Sequence, residues 1–270
     1  MKNTKITSLV LAAFAVVAAV SCSVKEDRVE CPCWLSVCLK DVSDKKDVTV
    51  SEWLDTKEML SRETVAVQDY TCTPYYEKQV PKGYVSIAVY RGKTRMNIED
   101  YKLMIPKGFD SDSLYAYCHR VDCSKESALD TAEIHKQFAT VFLGMKNSND
   151  GKPYPYTIRV KSDVSGFNLV TLEPVAGEFS YEPEPLGAEK NQFVFRLPRQ
   201  MDDSFNIEIL EKGTVIETMN LGKIIEEDKN YSWNALDLDD IYIGVDFALA
   251  RVTLNIIPWQ SGYTIDKFVI

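Results

Sequence analysis

The feature that most limits how this chain can fold is a strict alternation of apolar and polar residues, recurring along nearly its whole length. Val85, Ile87 and Val89 alternate with Ser86 and Ala88, and Phe205, Ile207 and Ile209 with Asn206 and Glu208; Val252, Leu254 and Ile256 alternate with Thr253 and Asn255. Successive side chains of a strand point to opposite faces, so a period of two predicts strands with one buried face. Further strand-like runs at 34–40, 101–105, 113–120, 138–143, 154–161, 167–172, 193–197, 213–219 and 241–247 are separated by turn pairs such as Lys82-Gly83, Lys107-Gly108 and Asp150-Gly151. Helical pattern is sparse: residues 52–62 with Ser51 as a cap, 130–137, and 221–227.

More strands are predicted than one small sandwich uses. The polar stretch at 161–166 reads as a linker, which divides the body into an N-terminal β-sandwich at 33–163 and a C-terminal one at 164–270. The fold class expected is all-β, two tandem sandwiches with a few short helices. Residues 181–185, acidic and Pro-rich, read as a surface loop of the second unit.

Composition narrows the chemistry. The net charge of −9 offers no basic surface to neutralise phosphates, so nucleic acid is not an expected partner. His119 and His135 are the only histidines, and no nucleophile elbow, phosphate-cradling Gly-rich loop or His-Glu-x-x-His motif occurs. No catalytic residue, cofactor or metal is therefore expected. The acidic runs at 226–228 and 237–240 have the oxygen ligands Ca²⁺ prefers, but the second lacks the spaced ligands and turn Gly of an EF-hand loop, and both read as solvated turns. Trp53, Tyr75-Tyr76, Trp259 and Tyr263 are the aromatics from which a sugar-stacking platform could be built; the competing reading is that they are sandwich core.

The N-terminus carries an address. Lys2 and Lys5 precede an apolar run at 6–20 that stops at Ser21-Cys22, a signal-peptide profile too short to span a bilayer. Ala19-Val20-Ser21-Cys22 resembles a bacterial lipobox, which implies cleavage between Ser21 and Cys22 (signal peptide 1–21) and acylation of Cys22. Several acyl chains on one Cys give an anchor that a single chain cannot. Ser23 in place of Asp implies outer-membrane sorting, and Lys25-Glu26-Asp27 resembles a surface-export tag, so residues 22–32 are expected to be a lipidated tether on an outward-facing protein.

Cys22 aside, six cysteines remain, and an even number in an exported chain permits disulfides in fifteen connectivities. Cys31 and Cys33 are too close to bridge each other comfortably, so each is expected to reach a distant partner such as Cys72 or Cys123. Cys38 and Cys118 sit inside strand-like runs and read as small buried apolar residues. The Cys-x-Cys with His119 and Cys123 matches no standard zinc spacing.

With these features together, the chain resembles the FimB-type fimbrillin-associated anchor family. The lipoprotein signal and acidic tether lead into Glu30-Cys31-Pro32-Cys33-Trp34-Leu35-Ser36-Val37, and the far end holds Leu236-Asp237-Leu238-Asp239-Asp240-Ile241-Tyr242-Ile243, an alternating strand, and Pro258-Trp259. The resemblance implies two transthyretin-like β-sandwiches held by lipid to the outer membrane, a fimbrial subunit (pilin) as partner through β-strand complementation, and a role in anchoring the fibre, limiting its length and supporting adhesion. A surface glycan-binding lipoprotein and a secreted enzyme are the competing readings.

Overall fold

The computed structural model describes residues 31–39, 46–70, 72–146, 156–187, 190–246 and 251–261. Ser21, Cys22, most of the tether and Tyr263 lie outside the described residues. Strands are numbered in chain order, and they build four sheets that pack in two pairs.

The first pair begins with β1 (Cys33–Cys38), flanked by antiparallel β4 (Tyr76–Val80) and parallel β9 (Ser127–Thr131). Against it lies an antiparallel sheet ordered β3 (Met59–Val65), β2 (Val48–Leu54), β5 (Tyr84–Arg91), β8 (Tyr115–Asp122) and β10 (His135–Lys136). Leu35 and Val37 of β1 meet Val48, Val50, Val85, Ile87 and Val89 from the facing sheet, all fully removed from water. Burial on that scale is worth about 1.5–3 kcal/mol for each such side chain.

The second pair places β11 (Phe138–Lys146) between antiparallel β14 (Gln192–Pro198) and parallel β17 (Asp240–Asp246), with β18 (Arg251–Ile257) antiparallel outside β17. The facing sheet is organised by one long strand, β12 (Thr157–Asn168). One edge of β12 pairs first with β15 (Asn206–Glu211), which carries β16 (Thr214–Asn220), and then with β7 (Lys102–Met104), which carries β6 (Asn97–Glu99). Its other edge holds β13 (Pro174–Tyr181). Phe193, Phe195, Phe205, Ile207, Ile241 and Ile243 fill the space between these sheets. The described residues hold one α-helix, α1 (Leu221–Glu226), whose first amide turn is capped by the Asn220 side chain accepting from the Lys223 N–H at 2.8 Å, and two short 3-10 turns at Val67–Asp69 and Trp259–Ser261.

Two sheet pairs meet through β12 and β7. Phe167 and Leu169 join Leu103 in a third apolar cluster against Trp53, Ala88, Tyr90 and Ala116, on the outward face of the β5 sheet. That face is therefore covered, which is why Ser86 and Ala88 of β5 are as buried as Val85 and Ile87.

Three sequence expectations are corrected. Residues 52–62 are not a helix but the β2–β3 hairpin, with Ser51 on a strand and its hydroxyl accepting from Arg62 Nε. Residues 130–137 are the end of β9 and β10, not helical turns. The stretch 161–166 is not a linker: it is the middle of β12, and the cut expected between 163 and 164 falls inside that strand. The alternation there was hidden because the inward positions hold Ser162 and Gly166. A Cβ on Gly166 would stand 2.3 Å from the Leu103 carbonyl oxygen, so β7 can approach only a glycine.

Candidate functional site: two edges of one sheet

In the sheet β14-β11-β17-β18 the two outer strands carry the groups that matter for recognition, because an outer strand has a row of backbone N–H and C=O groups with no ladder partner. The β14 edge is sealed. The Arg196 N–H donates to Asp110 Oδ2 at 3.2 Å, and the Arg196 carbonyl accepts from the Ser111 N–H at 3.1 Å. The Arg196 guanidinium reaches Asp110 and Ser113 as well, and Arg95 donates to Asp110 Oδ1.

The sealing segment 110–112 is itself pinned by Asp112, which is 1% exposed. Its Oδ2 accepts the backbone N–H groups of Thr94, Arg95 and Met96 at 2.7–2.8 Å, and its Oδ1 accepts the Thr94 hydroxyl. Burial alone would push this carboxyl up, yet these donors hold it below its ordinary value. Gly92 makes the approach feasible: at φ +84° it takes a conformation that L side chains rarely adopt, and a Cβ there would overlap the Ser113 carbonyl.

The β18 edge is open among the described residues. Its seven residues pair with β17 on one side only. Arg251, Thr253 and Asn255 face solvent, while Val252, Leu254 and Ile256 pack on the second core but remain half-buried. An edge with unpaired main chain beside a row of incompletely covered apolar side chains is what an added strand recognises: backbone groups supply affinity and alternate side chains supply register. By contrast β16 shows solvent to nearly every side chain, Val215 and Ile216 included, and offers no inward row.

The acidic run at 237–240 buttresses the start of this edge. Asp237 accepts the Lys136 N–H through Oδ1 and lies 3.1 Å from His135 Nδ1 through Oδ2. Asp240 Oδ1 accepts from Lys136 Nζ at 2.7 Å and from the Thr140 N–H at 2.6 Å, and Asp239 Oδ1 accepts the Trp259 N–H. Lys136, buried, has its ammonium pushed down by burial against the upward pull of Asp240. The run that resembled a family signature is thus a structural joint between β10, β11 and β17. His119 is likewise held, its Nδ1 3.0 Å from Asp130, which also accepts the Tyr117 hydroxyl. In the run at 226–228, Asp228 Oδ1 accepts from Asn230. No group of three His, Cys, Asp or Glu side chains is placed to hold a metal among the described residues.

One pair of carboxyl groups is shifted in opposite directions. Tyr76 donates to Glu52 Oε1 at 3.0 Å or Glu63 Oε1 at 2.5 Å; burial pushes Glu52 up, while the Lys78 ammonium and the Tyr76 hydroxyl hold Glu63 down. Divergent carboxyls can mark acid–base machinery. Here Glu52 has no exposed surface, so no substrate could meet it, and the cluster ties β2, β3 and β4 together.

Of the cysteines on which the sequence placed disulfides, Cys72 is bridged, and its partner is Cys38 rather than Cys31, Cys33 or Cys123. Cys38 is therefore not the inert apolar residue expected. The bridge spans 34 residues, a loop whose closure in the unfolded chain is worth about 4 kcal/mol. Cys31 is exposed and unbridged, and Cys33, Cys118 and Cys123 are also unbridged. The sugar-stacking aromatics do not assemble: Trp53 and Tyr76 are core, and Tyr75 and Trp259 are half-buried in separate parts of the chain.

Sequence reasoning identified β18 as a strand without revealing it as an edge, and passed over Asp110, Asp112 and Arg196. Two acids spaced for one face, directly after the Lys107-Gly108 turn, were the available signal.

No family profile and no curated protein match the chain. Solved structures do. A candidate polysaccharide-binding protein of Bacteroides thetaiotaomicron superposes with TM-score 0.63 at 14% identity, covering 85% of this chain and 99% of that one. A candidate adhesin of Bacteroides ovatus gives 0.57 at 12%, covering 87% and 95%. The fimbrial anchor protein Mfa2 of Porphyromonas gingivalis gives 0.54 at 13%, covering 84% and 99%. Over nearly the whole length of each of these proteins, the chain has the same all-β, sandwich-type fold as a fimbrial anchor, a candidate polysaccharide-binding protein and a candidate adhesin.

Proposed function

We propose that this chain is an outer-membrane lipoprotein that acts as a fimbrial anchor or accessory subunit, holding and terminating a fibre and supporting adhesion. The observation that carries the reading is the β18 edge, unpaired on one side among the described residues and lined by half-buried Val252, Leu254 and Ile256, on a fold shared with a fimbrial anchor. A strand of the terminal pilin would add alongside β18, its apolar side chains completing the row. Cys22, lipidated after cleavage behind Ser21, supplies the immobile end, with the residues up to Pro32 as tether.

Deleting the gene is expected to leave fibres that are shed or abnormally long, and a soluble form starting at Cys31 is expected to bind the terminal pilin. Cys22→Ala should move the protein into the soluble fraction. Normal fibres after deletion, with no pilin binding by the soluble form, would overturn the anchor reading and put glycan binding ahead.

A further inference from the structure

Two thiols outside the established bridge lie together in the first core. Cys33 opens β1 and Cys123 directly follows β8, and both are fully buried in the same apolar cluster. Backbone contacts fix them from both sides. The Cys123 N–H donates to the Gly83 carbonyl at 2.7 Å, and the short turn that follows leads into β9, where the Trp34 N–H donates to the Glu126 carbonyl at 2.9 Å and Trp34 stands opposite Ser127. The residue before Trp34 is thereby held over the start of that turn, and the Cys33 and Cys123 side chains interact within the same buried cluster.

We infer that Cys33 and Cys123 form a second disulfide in the exported protein, stapling the first residue of β1 to the turn between β8 and β9. The reaction requires an oxidant, which we assign by class to an external disulfide, R–S–S–R, of a thiol oxidoreductase or small thiol. One thiol loses its proton and its thiolate attacks R–S–S–R, forming a mixed disulfide and releasing R–S⁻. The second thiolate then attacks the protein sulfur of that mixed disulfide and expels the other R–S⁻. Two protein thiols are oxidised, one external disulfide is reduced, and the two protons end on the released thiols.

The folded protein sets when this happens. Burial, with Cys33 alongside, pushes the Cys123 thiol up to about 12, so in the closed core neither ionisation nor contact with an oxidant is available. Closure therefore precedes packing of β1, and the finished bond is shielded from reductants. Cys31 is exposed and only two residues from Cys33, so it is the natural competitor for Cys123 during folding. The β1 ladder favours Cys33, because it alone points into the core.

The test is peptide mapping of full-length protein recovered from its native envelope, unfolded in denaturant without reductant and alkylated. Expected is a Cys33–Cys123 cross-linked peptide beside Cys38–Cys72, with Cys31 and Cys118 alkylated. In Cys123→Ser protein treated the same way, alkylation of Cys33 should rise from near zero to near complete. Free Cys33 and Cys123 in the wild type, or a Cys31–Cys123 peptide, would overturn the assignment. Because the mapping reads wild-type covalent structure, its result is independent of whether the protein binds a pilin.

Discussion

The two outer strands of one sheet meet their surroundings in opposite ways. β14 carries Phe193, Phe195 and Leu197, essentially fully buried, and its edge is closed by the segment 110–112 on the connection from β7 to β8. β18 holds an equivalent place on the other side, yet Val252, Leu254 and Ile256 are half-covered and no described segment closes it. Burial of the inner row and closure of the edge go together. A strand left without a neighbour cannot fully shelter the side chains at its margin, so an edge meant to receive a partner advertises itself by incomplete cover as much as by unpaired amides.

The largest expected effect comes from breaking the seal. Asp112→Ala strips three backbone donors and the Thr94 hydroxyl of their acceptor in a buried setting, and should lower stability by about 3 kcal/mol or more. With the segment released, β14 becomes a second open edge, and self-association should appear by light scattering. A denaturant midpoint that hardly moves would show that Asp112 does not hold the segment. Next comes the open edge itself. Leu254→Asp sets a charge in the row an incoming strand must cover, and should weaken pilin binding by about 2 kcal/mol or more, roughly 30-fold in Kd, at a stability cost of about 1 kcal/mol. Equal pilin affinity for wild type and variant would move the docking site away from β18.

Asp110→Asn is a milder attack on the seal. It keeps the shape and removes the charge facing Arg95 and Arg196, and about 1–2 kcal/mol should be lost, read by thermal or denaturant unfolding. The smallest effect concerns pH. Asp112 is held below its ordinary value of 3.8, so its contribution is fully present above that pH and is lost as pH falls through the lowered value. Glu52 behaves oppositely. Burial raises it above 4.5, so the stability it confers is complete below that pH and is lost as pH rises through the raised value. Glu52→Gln should flatten the decline above 4.5 and leave in place the loss at acid pH to which Asp112 contributes. Parallel curves for wild type and variant over that range would remove Glu52 as its source.

Where alternation runs through residues of ordinary size and polarity, strands were legible: 205–209 and 252–256 follow the pattern faithfully. It misled where partners outside the segment decide the outcome. Residues 52–62 hold good helix formers behind a capping Ser, but Trp53 is claimed by the core and Ser51 by Arg62 across the hairpin, so pairing overrides propensity. The sealed and open edges were invisible for the same reason. Nothing local to 192–198 or 251–257 tells which one another segment will cover, since Asp110 lies 86 positions from Arg196. Cys38 was misassigned because a strand residue that is buried looks apolar until the neighbour at Cys72 is known.

β12 has a thermodynamic consequence. Its first half contributes Ile158 and Val160 to one core, while Phe167 and the adjoining Leu169 belong to a cluster built on the other pair of sheets. Neither pair of sheets can melt without stripping a wall from its neighbour. The chain should therefore lose its structure in one cooperative step, with calorimetric and van't Hoff enthalpies in agreement, and severing it between 163 and 164 would yield no independently stable half. What pulls on one end of this molecule is resisted by all of it.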